Sequence, residues 1–234
     1  VLNSVVGGGK EREPLSSSFL SYWDMDERNG TDVFDRKNNN DGLIYGANRS
    51  YGKLGWGMVF DGVDDFIDIA NEANFDFGSN QDFSHSYWIK TNESSALMNV
   101  MDKRGETGGA DPYQGFTVFI NSQPNTARST LGGNGVSVKL NGTTINVTDN
   151  QWHFVATTYD RDGLGILYID GVLQQSSDIS AVGDIDNEHG LTIGVSEAHN
   201  PDQYYFNGSL DEIKFWNRVL TASEIYESFE RGVG

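Results

Sequence analysis

Short apolar runs recur along the chain, broken by Gly, Asn and Asp. SFLSYWDM (18–25), GMVFDG (57–62), FIDIA (66–70), SHSYWIKT (84–91) and GFTVFINS (115–122) carry the pattern in the first half. GVSVKLNG (135–142), QWHFVATTYD (151–160), LGILYIDGVLQ (164–174), LTIGVS (191–196) and SLDEIKFWNRV (209–219) carry it in the second. Each reads as a β-strand, because β-branched and aromatic residues at period two suit a sheet with one packed face. Many short strands with no helices between them predict an all-β fold, a two-sheet antiparallel jelly-roll sandwich. RDGL after residue 160 places Asp162-Gly163 at a hairpin turn between two of these strands.

The pattern changes only at the end. In TASEIYESFERG (221–232), Thr221 and Glu224 form a capping box, Ile225 and Phe229 lie four apart on one face, and Gly232 marks a stop. This predicts one short C-terminal helix. At the other end, GGGKEREPLSSS (7–18) is a Gly/Ser/Pro-bearing linker behind the apolar hexamer VLNSVV. Residues 1–17 are therefore set apart as an arm and linker, and 18–234 as one domain. A strand such as VLNSVV gains stability only when it joins a sheet edge, with Val1 and Val5 on one face and Leu2 and Val6 on the other. Burial adds about 1.5–3 kcal/mol per large aliphatic side chain. Insertion into a neighbouring copy would be head-to-tail and would build a filament.

Composition narrows the partners. Sixteen Lys and Arg against 34 Asp and Glu give a net charge of −18, which argues against nucleic acid and anionic membranes. Thirteen Phe, ten Tyr and five Trp supply a large core. There is no cysteine, hence no disulfide framework or zinc–thiolate site. No apolar run reaches the ~18 residues of a membrane span. Six N-x-S/T sequons, at Asn29, Asn48, Asn92, Asn141, Asn146 and Asn207, are glycosylation candidates if the chain is exported. Together these features favour an extracellular or cell-surface location.

Five segments in order resemble the laminin-G-like, concanavalin A-like domains: YWDMDERNGTDVFDRKNNNDGLIYG (22–46), MVFDGVDDFIDIA (58–70), SYWIKT (86–91), QWHFVATTYDRDGLGILYIDGVLQ (151–174) and FNGSLDEIKFWNRVLTASEI (206–225). The resemblance covers about residues 18–231. It implies a two-sheet jelly roll whose first and last strands lie close together. Trp23, Trp88, Trp152 and Trp216 sit inside strands and are expected in the core. Trp56, between Gly55 and Gly57, is the tryptophan open to a glycan role.

Members of such a family often carry Ca2+, an ion that takes 6–8 oxygen ligands. The resemblance makes Asp26, Asn29, Asp35, Asp61, Asp64 and Asp211 the expected donors for a structural Ca2+. The stretch DRKNNNDG fails the EF-hand pattern because Lys37 stands in the first ligand position. DIDNE (184–188) approaches the E-x-D-x-E pattern of laminarinase-type hydrolases, but Asp184 replaces the nucleophilic Glu, and retaining hydrolysis needs two carboxyls ~5–5.5 Å apart. An acidic loop is the better reading. No Gly-x-Ser-x-Gly or His-Glu-x-x-His occurs, and His85, His153, His189 and His199 lack metal spacing. Tyr204, Tyr205 and Phe206 could form an aromatic loop that contacts a glycan, against a reading as strand lead-in.

These features lead to a non-catalytic extracellular structural or adhesive protein, a filament or surface-assembly subunit joined to itself by its N-terminal strand. The alternative is a lectin-like carbohydrate-binding module of a secreted protein, and a glycoside hydrolase comes third.

Overall fold

A computed structural model describes residues 19–105, 113–196 and 204–233. The N-terminal arm expected at 1–17 lies outside the described residues. In chain order the first strands are β1 (Phe19–Trp23), β2 (Asp32–Val33), β3 (Gly42–Tyr45), β4 (Asn48–Tyr51), β5 (Trp56–Asp61) and β6 (Phe66–Ile69). A 3-10 turn (Glu72–Phe75) leads to β7 (Phe83–Lys90), β8 (Met98–Gly105), β9 (Gln114–Ile120), β10 (Ala127–Gly133) and β11 (Val136–Asn141). The last are β12 (His153–Tyr159), β13 (Leu164–Ile169), β14 (Val172–Asp178), β15 (Leu191–Ile193) and β16 (Asn207–Trp216), before helix α1 (Ala222–Val233).

Two antiparallel eight-stranded sheets stack as a sandwich. Sheet A runs β14-β13-β12-β7-β16-β5-β4, with β1 also on β16, and sheet B runs β11-β10-β9-β8-β15-β6-β3-β2. Strand β16 is long enough for β5 to pair with Asn207–Leu210 and β1 with Ile213–Trp216. First and last strands are thus neighbours, as the resemblance implies. Between the two pairings β16 bulges, with Glu212 at φ 53°.

The core between the sheets is rich in aromatics, among them Phe60, Phe75, Phe77, Phe83, Phe116 and Phe215. A second cluster, Trp88, Phe154, Tyr168, Trp216 and Ile225, fills the space between the outer face of sheet A and α1. Trp23, Trp88 and Trp216 are buried as expected, and Trp152 packs half-buried against the second cluster.

The structure changes the predicted elements in three ways. LGILYIDGVLQ is two strands, because Asp170 (φ 52°) and Gly171 (φ 73°) turn the chain as a tight hairpin. Strands β2, β3, β4, β8 and β10 lie outside the predicted runs. Gly232 does not end the helix but lies inside it, where a Cβ would come 2.1 Å from the Trp88 ring. The predicted capping box is present: Thr221 N–H and Oγ1–H donate to Glu224 Oε2 at 2.8 and 2.9 Å, and Glu224 N–H donates to Thr221 Oγ1 at 3.3 Å.

Candidate functional site

Strands β4 and β5 form a hairpin closed by Gly52 N–H donating to Gly55 O at 3.0 Å. Tyr51 and Trp56 are directly paired across it. Their rings stack at 5.2 Å with 28° between planes. Tyr51 is 81% exposed, the most open large apolar side chain among the described residues, and Trp56 is half-buried. Isolated hairpin tips are mobile, but this one is pinned from two directions. Buried Asp211, at the β16 bulge, accepts Leu54 N–H through Oδ2 at 2.8 Å and Glu212 N–H through Oδ1 at 2.8 Å. Asp26, just after β1, accepts Trp56 N–H at 2.8 Å. Position 52 must be glycine, since a Cβ would lie 2.5 Å from Asp211 Oδ2 and 2.6 Å from Trp56 O. The result is a rigid pair of aromatic faces held out from the rim of the sandwich.

Two of the residues expected to bind Ca2+, Asp26 and Asp211, thus accept backbone hydrogen bonds from the same hairpin. Asp35 is spent similarly: it accepts Tyr22 N–H at 3.0 Å, Lys37 N–H at 2.9 Å and Asn40 N–H at 3.4 Å. Asn29 is exposed in the loop before β2. Asp61 and Asp64 come together with Asp65 in the β5–β6 turn, carboxylate oxygens within 4.8 Å of one another, the single such acidic group among the described residues. Burial, joined by repulsion from Asp61 and Asp64, holds the Asp65 carboxyl above its usual range despite the hydrogen bond from Asp61 N–H. The six expected donors are not gathered at one point; Asp65 was missed because a three-residue acidic turn has no ligand spacing to announce it.

Tyr204 and Tyr205 are half-buried and Phe206 fully buried, where it meets Phe60 edge-on at 5.8 Å. Tyr204 stands edge-on to Phe119 at 5.7 Å. The segment 184–188 is a loop, in which Asp184 accepts Asp186 N–H at 3.0 Å. Of the six sequon asparagines, Asn29, Asn48, Asn92, Asn146 and Asn207 are exposed, and Asn141 is half-buried in β11. No helix among the described residues is long and apolar enough to cross a membrane.

Sequence reading missed a second surface aromatic pair, an exposed Tyr45 on a half-buried Phe66. Tyr45 of β3 and Phe66 of β6 are paired on the outer face of sheet B, rings 4.5 Å apart and within 9° of parallel. Leu43 lies two residues along on the same face and is also exposed. The signal for the first pair was present: YGKLGW is an aromatic–Gly frame around a tight loop. No such frame marks Tyr45 and Phe66, which are 21 positions apart and meet only through sheet register.

A relative, the botulinum-like toxin eBoNT/J of an Enterococcus species, is 24% identical over 171 residues, which is 70% of this chain and 13% of that protein. The binding domain of Paraclostridial Mosquitocidal Protein 1 superposes with a TM-score of 0.71 at 15% identity, over 91% of this chain and 52% of that one. The binding domain of botulinum neurotoxin serotype G gives 0.71 at 15% identity, over 91% and 50%. The serotype D ligand-binding domain, solved with N-acetylneuraminic acid, gives 0.68 at 15%, again over 91% and 50%. The chain spans about half of those solved domains and a small part of the toxin. The family description that matches, over residues 61–226, covers well over half of the chain. The chain belongs to the concanavalin A-like lectin/glucanases superfamily.

Proposed function

We propose that the chain is a carbohydrate-binding module working outside the cell, without chemistry of its own. The observation that carries this reading is the anchored Tyr51–Trp56 stack, with Tyr51 exposed and Trp56 half-buried. A stacked ring pair with one ring largely in water offers apolar surface for a partner to cover. A pyranose has a C–H face that packs on the electron-rich face of an aromatic ring, while its hydroxyls stay hydrated or hydrogen-bonded at the edge. Membership of a lectin-containing superfamily and the sialic-acid complex of the serotype D domain point the same way. The loop position of Asp184, Asp186 and Glu188 supports a non-catalytic reading. The structural or adhesive role, with strand donation by residues 1–17 and the filament it would build, has no support among the described residues.

The test is a glycan array with the full chain, followed by calorimetry on the best glycan. Trp56→Ala is expected to weaken binding by roughly tenfold or more, about 1.4 kcal/mol, at an unchanged melting temperature. Full binding by a doubly substituted Tyr51→Ala, Trp56→Ala chain would overturn the reading. In parallel, light scattering on chains with and without residues 1–9 decides the assembly role. A stable monomer in both cases removes it, and arm-dependent oligomers restore it over the lectin reading.

A further inference from the structure

The two aromatic pairs lie on consecutive parts of one chain segment. Tyr45 ends β3 on the edge side of sheet B, and β4 begins at Asn48 as the edge strand of sheet A. Only Gly46 and Ala47 separate the strands. Gly46, at φ 76°, takes the chain from one sheet to the other, and a Cβ there would strike Asp65 Oδ1 at 2.1 Å. From Tyr45 to Tyr51 is six residues, so the rings are carried on Cα atoms no more than about 20 Å apart at ~3.3 Å per residue.

Between the pairs the exposed residues are the polar Asp32 and Asn48, with the largely buried Arg49 and Glu27 beneath them. Asp32 pairs with Leu43 in the sheet. Its carbonyl accepts Arg49 Nη2–H at 2.7 Å, and Arg49 Nη1 lies 3.5 Å from Glu27 Oε2. Arg49 is two residues before Tyr51, on the same side of β4. The edge of the sandwich therefore reads aromatic, polar, aromatic. A protein partner of ordinary type asks for one apolar centre with a polar rim. Two separate ring platforms with exposed polar residues between them match a polymer of sugar rings, each with an apolar face and a hydroxylated edge. The net charge of −18 disfavours a polyanionic polymer.

We infer that the ligand is a neutral oligosaccharide chain that runs around this edge and stacks on both Tyr51–Trp56 and Tyr45–Phe66, so that a single sugar is too short to fill the site. This rests on the carbohydrate-binding reading and specifies its ligand. Two weak contacts on one ligand act as linked sites, and the affinity gain depends on the ligand being long enough to span them.

The experiment titrates the full chain with cello- and chito-oligosaccharides from one to six units, beside the glycan array. The affinity for one of the two series is expected to rise steeply at the length that reaches the second pair. Tyr45→Ala should then weaken the hexasaccharide roughly tenfold and leave the shortest bound member unchanged, whereas Trp56→Ala weakens both. Trp56→Phe, which keeps a ring, should retain most of the binding. Affinity that is flat with length, or indifference to Tyr45→Ala, overturns the inference while a Trp56-dependent signal keeps the broader reading. Absence of binding to both series and to the array overturns both. A change of mass in light scattering on Tyr45→Ala assigns the second pair to a contact between copies and likewise overturns the inference.

Discussion

Two histidines in this fold respond to pH in opposite directions. His85 sits fully inside the sandwich, its Nε2 3.3 Å from Tyr159 Oη, which in turn bonds Ser129 Oγ. Burial pushes its pKa down to about 3, so the folded protein keeps it neutral while the unfolded chain protonates near 6.5. Stability from this group is complete above the unfolded value and falls as pH drops from 6.5 towards 3, by up to about 1.4 kcal/mol per pH unit. His153 is held differently. Burial works against its charge, but Asp170 at 2.7 Å and Asp149 at 3.0 Å outweigh burial and raise its pKa. Its contribution is complete below pH 6.5 and disappears as pH rises through the raised folded value. Urea unfolding at stepped pH should show a shallower acid loss for His85→Phe than for the native chain. His153→Ala should cost more at pH 5 than at pH 8. Parallel profiles for native and variant proteins would contradict these assignments.

At the scale of elements, Asp211 decides whether the β4–β5 hairpin is a platform or a loose loop. Asp211→Ala leaves the N–H groups of Leu54 and Glu212 without this acceptor, at about 1–3 kcal/mol for each buried donor stranded. The expected outcome is a lower melting temperature, together with weakened glycan binding and altered Trp fluorescence. Loss of stability with unchanged glycan affinity would mean that the hairpin holds its shape without the anchor. The neighbouring β5–β6 turn is where we propose that the Ca2+ expected from the sequence binds, since Asp61, Asp64 and Asp65 converge there. A cation would relieve their mutual repulsion. Excess CaCl2 is expected to raise the melting midpoint relative to EDTA, and Asp64→Asn to abolish the difference. Equal midpoints for the native chain remove Ca2+ from the structure.

The whole molecule carries its −18 over a fold with no disulfide to brace it. Part of the charge is balanced internally: Arg104 pairs with Asp102 at 2.7 Å, and buried Lys103 with Glu72 at 2.9 Å and Asp76 at 2.6 Å. The rest repels itself across the surface. Moderate NaCl should therefore raise the melting temperature by roughly 2–4 °C, the shift that about 1 kcal/mol gives at this size. A fall in melting temperature would show that screening weakens more attractions than repulsions.

Most of the sandwich was legible because its strands alternate and its turns use Asp-Gly and Asn-Gly steps. β8 was not: MNVMDKRG carries three charges in a row, and these suit a buried strand only because Asp102 and Arg104 pair on one face while Lys103 meets Glu72 and Asp76 on the other. The partners of Lys103 lie on another segment of the chain, so propensity alone reads the stretch as loop. The candidate site divides in the same way. Trp56 stood out between two glycines, whereas Tyr51 acquired meaning only when β4 was found to pair with β5. Local sequence by itself determined the fold class, the β12–β13 hairpin, and the helix and its cap, because turns, caps and period-two burial are short-range physics; the family was legible as a resemblance of ordered segments. Tertiary structure alone decided that Asp26 and Asp211 would hold an aromatic hairpin, and that Tyr45 would find Phe66. Register and layer stacking join residues that the chain keeps far apart, and no local pattern encodes which partner a side chain will meet.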